Sequence, residues 1–382
     1  MSLESRLTLY RELEERRGRP LIVYVTSNRQ GPNAAGIIAG DSIGEVVRQL
    51  RALPAGAKAL DLLIISNGGD PTVAWRIVSL IRERVPRFSV LVPEAAFSAA
   101  TVIALGADEI VMHPHGNLGP VDPQIVTVKQ REKGTSQPIS FGSEDLAAFL
   151  TFARKEVGLT RQEQLLEVFK LYCADVGAVQ IGVAARSSQL MMSLGEQLLK
   201  LHMKKKGESQ KAHAIAEALS KKFYHHGYPL SRKEAKQIGL KVTKPPADVE
   251  DLLWRLWLDI VEELELREPF SPLTVVAQNP ACAPLFAPIP QVNIPTNVPP
   301  ELAQQVLQAV LQQVQVVAVP PTPYAVINAL LESSRLASRF IMEGRIFGSR
   351  LPDLRIQVNL TQERASWRTM PLPVQGAAGG QS

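Results

Sequence analysis

Two apolar runs of strand length, residues 60–65 and 88–92, each lead through a short turn into a segment with helical spacing, residues 71–84 and 98–105. The same alternation begins at the amino terminus. Leu3, Leu7, Tyr10 and Leu13 recur at helical spacing, Pro20 ends that segment, and residues 21–26 read as a buried strand. Asp41 or Ser42 is the expected cap of a helix running through Leu53, and residues 109–113 read as a further strand. Strands and helices alternating across short loops predict a parallel sheet with right-handed crossovers. Folds of that kind gather their sites in the turns at the carboxyl ends of the strands.

Two such turns carry candidate chemistry. Ser66, Asn67, Gly68 and Gly69 form one, and a tight Gly-Gly turn exposes backbone N–H groups. Ser98, after Phe97 and before Ala99, Ala100 and Thr101, opens the helix that follows the next strand. Together they supply a nucleophile and an oxyanion hole. The plain alternative is a turn and an ordinary serine cap, the commoner role for a serine in that place.

These residues resemble the ClpP/crotonase superfamily and, within it, the serine dehydrogenase proteinase family, which is related to signal peptide peptidase A. The similar segments are residues 23–26, 66–75, 98–124 and 226–240, of which 103–112 and 118–124 are the most specific. The resemblance spans residues 5–265 and returns weakly near residues 329–333. It implies an α/β fold of repeated β-β-α units with a mainly parallel sheet, projecting helices and a smaller C-terminal region. It also implies Ser98 as nucleophile and the backbone N–H groups of Gly69, Gly68 and Ala99 as the oxyanion hole. Asn67 stands where the proteases often carry proline.

The general base is less direct. Signal peptide peptidase relatives use a lysine opening a helix that here begins near Ser143, where this chain has Ser143, Glu144 and Asp145; Lys129 and Lys133 are the nearest lysines. Clp peptidases place a histidine near the position of Asp122 and an acid near that of Gly227. This chain reads His225, His226, Gly227 and Tyr228 at the latter place. His226 is therefore the candidate base with Asp122 as its partner, against a structural histidine pair in a turn. His113 and His115 have spacing that could ligate a metal, but no cysteine or carboxylate set accompanies them, and packing is the expected role. No metal or cofactor is expected.

After residue 124 the pattern becomes helical. Residues 125–129 read as a strand, 130–137 as an exposed turn, 143–156 as a helix, and 160–203 as a long helical segment broken at Gly177 or Gly182. Residues 209–222, a short helix capped by Ser231 and ending at Gly239, and 251–266 follow. The expected organisation is a core over residues 1–268 with a helical insertion at about 160–222, and a Pro/Ala/Asn-rich linker over 269–300. A small α/β region over 301–370 and a disordered tail over 371–382 complete it. Residues 301–319 fit either a helix or a strand, 324–339 read as a helix, and 354–360 as an alternating strand.

Composition adjusts this reading little. The chain has 382 residues, 45% of them hydrophobic and 21% charged, the profile of a globular protein with ample core. A net charge of +5, from 42 basic and 37 acidic residues, is spread along a chain poor in aromatics and argues against a nucleic-acid partner. Cys173 and Cys282 show no metal or redox spacing and are expected to be buried free thiols in a reducing compartment. Residues 1–17 read as a charged amphipathic helix rather than a signal peptide, and no apolar run nears the roughly 20 residues that span a bilayer. The expectation is a cytoplasmic, ATP-independent serine peptidase acting on peptides or proteins, assembled as a trimer-based homo-oligomer. A Clp-fold scaffold that has lost its base is the alternative. Enolate chemistry on an acyl thioester ranks last, since Glu94 has no converging second acid.

Overall fold

The computed structural model describes residues 3–130, 136–223, 225–288, 292–295, 297–314, 319–351 and 353–372; of residues 129, 130 and 136–138 only the backbone is described. Its first half alternates as the apolar pattern demands: α1 (Leu3–Arg17), β1 (Leu21–Thr26), α2 (Ser42–Arg51), β2 (Ala59–Ile65), α3 (Pro71–Arg84) and β3 (Arg87–Val92). Next come β4 (Ala95–Ala96), α4 (Ala99–Leu105), β5 (Glu109–Met112) and β6 (Asn117–Leu118), then a hairpin of β7 (Ile125–Gln130) and β8 (Ser136–Phe141). The helical middle holds α5 (Ser143–Lys155), α6 (Gln162–Val176), α7 (Ala178–Lys200) and α8 (Glu208–Lys221). The chain continues through β9 (Leu230–Ser231), α9 (Arg232–Gln237), β10 (Val242–Thr243), α10 (Ala247–Glu263), α11 (Pro272–Gln278) and α12 (Pro300–Val314). Three long strands close it: β11 (Thr322–Glu332), β12 (Ala337–Arg350) and β13 (Ile356–Met370).

The main sheet runs β10-β5-β3-β2-β1-β11-β12-β13. The first five strands are parallel and the last three antiparallel, so the sheet is mixed. Strand periodicity splits its residues between two covered faces. Ile22, Tyr24, Leu62 and Ile64 pack with residues of α2, α3, α4, α7 and α8, whereas Leu21, Val23, Leu63 and Ile65 pack with α1 and α10. A small second sheet, β4-β6-β9, stands at the carboxyl ends of the parallel strands and frames the site.

The structure departs from the sequence expectations in the C-terminal third. Residues 324–339, expected as a helix, form the end of β11, a turn over 333–336 and the start of β12. Tyr324 and Val326 are buried while Ala325 is exposed, which is strand periodicity; Ala329–Glu332 are buried throughout, which hides the alternation. Residues 269–300, expected as a linker, hold α11 and a 3-10 turn (Pro280–Phe286), and Phe270, Val276, Cys282 and Leu285 pack on Tyr324, Val326 and Ile346. Pro272 and Pro280 open helical turns, where the missing N–H costs nothing, while Pro284 lies within the 3-10 turn. Because β11 pairs with β1, residues 322–370 extend the core sheet rather than forming a sheet of their own. Residues 301–314 are helical. Of the tail expected over 371–382, Leu372 packs against the core, while residues 373–382, like residues 131–135 of the expected turn, lie outside the described residues.

The helical break falls at Gly177, whose φ of +95° suits glycine, while Gly182 lies inside α7. Cys282 is buried as expected, but Cys173, on α6, is half-exposed; both thiols are free. His113 and His115 pack against Trp254 and Trp257, with ring centroids 5.0–5.8 Å apart.

Candidate active site

The two turns picked out by the sequence meet here. Beyond β2 the chain stays extended: Ser66 N–H donates to Ala95 O at 2.8 Å, and Ser66 O accepts from Phe97 N–H at 2.9 Å. On the other side Ile38 N–H donates to Gly68 O and Asp70 N–H donates to Ile38 O, both at 2.8 Å. A parallel bridge made through Gly68 and Asp70 turns the N–H of Gly69 itself away from Ile38, toward the side where residues 96–99 run. Gly69 has φ +149°, and a Cβ there would fall 2.2 Å from Ile38 O, so only glycine fits.

Gly68 plays a different part from the one expected. Its N–H donates to Ser66 Oγ at 3.0 Å and is already engaged. Of the three expected oxyanion donors, Gly69 and Ala99 remain. Ala99 is the first residue of α4, a position whose N–H has no partner within the helix. Gly68 serves instead by leaving room, because a Cβ there would stand 2.7 Å from Ser98 Cβ.

Three contacts hold this turn that the sequence did not single out. Thr26, at the end of β1, shares a 2.7 Å hydrogen bond with Ser66 Oγ. Asn328 is the extra residue of a bulge in β11, and its amide donates to Asn33 O and Ala35 O at 2.8 and 3.0 Å, fixing the loop that carries Ile38. Thr101 Oγ1 donates to Ala96 O at 2.6 Å and accepts from Gly119 N–H at 3.0 Å, fastening α4 to the frame. Thr26 lies in a segment that carries the family resemblance, but nothing local showed what its hydroxyl would meet.

Ser98 has φ +51° and ψ −116°, a conformation that non-glycine residues adopt at a cost of about 1–3 kcal/mol. Its side chain makes no capping hydrogen bond to α4, so the ordinary cap role does not describe it. The strained turn directs the residue into a cavity of about 300 Å³ lined by Asn67, Gly68, Gly69, Gln124, Met191 and His226 among others. Among the described residues no lysine lines that cavity. Lys133 lies outside the described residues, and of Lys129 only the backbone, in β7, is described.

His226 and Asp122 are 104 residues apart and 2.7 Å from each other, Nδ1 to Oδ1. The antiparallel pairing of β6 with β9 sets Asn117 opposite Ser231 and Leu118 opposite Leu230, which brings together the loops beyond them. A carboxylate only accepts, so Nδ1 carries the proton and the lone pair is left on Nε2. The hydrogen bond to Asp122 raises the His226 pKa above its ordinary value, against burial, which lowers it. His225 does not join this pair; its Nδ1 accepts from Gly227 N–H at 3.0 Å and shapes the turn. Among the described residues Ser98 Oγ has no hydrogen-bond partner, and catalytic contacts of this kind commonly close only around substrate. Glu94 is not among the residues that line the cavity.

A strained serine, two backbone donors without a partner among the described residues and an oriented imidazole suit acyl transfer. Residues 1–131 match the ClpP-like SDH-type serine proteinase family model. That span holds Ser98, Gly68, Gly69, Ala99 and Asp122 but not His226. Two uncharacterized proteins of Methanocaldococcus jannaschii are similar over more of the chain. One is 27% identical over 282 residues, covering 72% of this chain and 86% of that protein. The other is 28% identical over 254 residues, covering 65% and 75%. Among solved structures, two mutants of the 1510-N membrane-bound stomatin-specific protease align with TM-scores of 0.35 and 0.34 at 16% and 17% identity. They cover 61% and 60% of this chain and 84% and 78% of theirs; the second is in complex with a substrate peptide.

Proposed function

We propose that this protein is a serine peptidase in which Ser98 attacks a peptide carbonyl, His226 takes its proton, and the N–H groups of Gly69 and Ala99 receive the oxyanion. The observation that carries this reading is the single cavity shared by a strained Ser98 and a carboxylate-held His226. Attack gives an acyl-enzyme, the imidazolium returns the proton to the departing amine, and water then releases the acyl group. Labelling of Ser98 by a fluorophosphonate tests it. A folded protein that resists the reagent would favour the scaffold reading instead.

We further place the enzyme in the cytoplasm and independent of ATP. Free thiols at Cys173 and Cys282 fit a reducing compartment. Ile37, 65% exposed, stands on the cavity rim, so a short peptide can enter without an unfolding machine. ATP is expected to leave the hydrolysis of a short peptide unchanged.

The role of His226 makes a pH prediction. Only the neutral imidazole accepts the serine proton, so labelling rises with pH through the His226 pKa, with a midpoint above the usual value of about 6.5. Asp122→Asn removes the principal cause of the upward shift and should move that midpoint down. An NMR titration of the His226 ring in both proteins checks the shift apart from activity. Equal titrations would remove Asp122 as partner.

The helices α6 and α7 are the proposed assembly surface. No residue of α6 is buried, and Leu166, Phe169, Leu171 and Val179 are exposed. Such a patch exceeds what a monomer usually presents, and a trimer of this chain is the proposed cover. Among the described residues no single helix is long and apolar enough to cross a bilayer; α6 and α7 meet at 92°. Light scattering should give a multiple of 41.8 kDa, and Phe169→Glu should lower it. A monodisperse monomer refutes the trimer, and flotation of that monomer with vesicles would assign the face to lipid.

A further inference from the structure

The cavity at Ser98 does not end at His226. A cleft of about 680 Å³ adjoins it and shares His226 and Gln124 with the serine cavity. A third recess of about 390 Å³ continues from it, sharing Phe223 and His225. Three joined recesses suit an extended polypeptide rather than a small molecule. The imidazole that takes the serine proton must hand it to the departing amine, so the chain beyond the scissile bond leaves past His226. The large cleft therefore lies on the leaving-group side.

Its lining carries both charge and apolar surface. Glu144 and Glu156 have no ion-pair partner among the described residues, and Asp145 accepts from Gly142 N–H at 2.6 Å. Among the described residues Lys221 is the one lysine or arginine in the lining, and its ammonium turns to Glu217 at 3.2 Å. Phe152, 56% exposed, and Phe223 offer aromatic surface. Burial raises the Glu144 pKa, and the neighbouring Asp122 and Asp145 add to that rise against Lys221 and the hydrogen bond with Ser143. A lysine or arginine side chain answers both features, with its stem against the rings and its head among the carboxylates.

We propose that the cleft beyond His226 binds the leaving-group side of a peptide substrate and selects a lysine or arginine there. This rests on the peptidase reading. Mass spectrometry of a digested peptide mixture identifies a cleaved sequence, and matched peptides then differ at one position after the scissile bond. Lysine should give a kcat/KM about tenfold above glutamate. The ratio should fall toward one in the Glu144→Gln/Glu156→Gln double variant and should shrink in wild type as ionic strength is raised to about 0.5 M. Equal values for the two peptides in wild type, or a preference that survives both the double variant and salt, would overturn the proposal. Fluorophosphonate labelling of wild-type Ser98 separates the two levels. Labelling without charge preference removes this proposal and leaves the peptidase; neither labelling nor cleavage removes both.

Discussion

Ser98→Ala should abolish fluorophosphonate labelling and reduce peptide hydrolysis by about 10⁴–10⁶-fold, the usual loss when a serine nucleophile is removed. The loss should come without unfolding. The Ser98 hydroxyl makes no hydrogen bond among the described residues, so deleting it strands no buried partner. Alanine meets the same positive φ that serine already tolerates, and the melting temperature should stay within about 2 °C of wild type. Hydrolysis at the wild-type rate by a folded Ser98→Ala protein would sink the serine mechanism. His226→Gln should lose a comparable amount, whereas His225→Gln should disturb only the turn, since His225 meets Gly227 rather than Asp122.

The base is where sequence and structure inform each other most. Clp peptidases, which the sequence resembles, carry a histidine near the position of Asp122 and an acid near that of Gly227, and this chain has neither there; His226 was expected as the base with Asp122 as its partner. The chain has an acid in the first place and a histidine beside the second, and the two side chains bond to each other. His226, rather than Asp122, is the member that lines the cavity of Ser98, as a base must.

What could be read from the sequence was local. The Gly-Gly turn and the serine-led helix are each set within a few residues by strand, turn and helix signals, and both are where the pattern put them. Which N–H groups are free was not local: Gly68 is engaged because Ser66 Oγ folds back onto it, with Thr26 from another strand behind. The contact of His226 with Asp122 depended on β6 pairing with β9, two residues each, which spacing does not announce. Residues 324–339 read as a helix because Ala, Leu, Glu and Arg favour one in isolation. Their pairing with β1 and burial on both faces overrode that preference. The prolines of 269–300 suggested a linker, but hydrophobic contacts with Tyr324 and Ile346 hold the segment down.

Strand β11 also brings Glu332 to a buried cation. Arg6 is fully buried and donates to Glu332 at 2.8 and 3.0 Å and to Asp259 at 2.7 Å, so that α1, α10 and β11 meet on one guanidinium. Tyr10 O–H also donates to Glu332 at 2.8 Å. Burial alone would weaken the charge on Arg6, but these carboxylates raise its pKa, and the cation is kept. Removing one member leaves the others charged in a dry interior. Arg6→Met should therefore cost about 3–5 kcal/mol, a large part of the 5–15 kcal/mol that holds a typical domain together. The melting temperature should fall by roughly 10 °C. Glu332→Gln should cost less than Arg6→Met, because Asp259 still answers the cation. The Arg6→Met/Glu332→Gln pair should cost less than the sum of the two single changes, since each alone strands the other's partner. Strict additivity in thermal unfolding would refute the network. A chain ended at residue 268 would lose Glu332 and leave β1 an open edge, and it should not give a soluble folded protein.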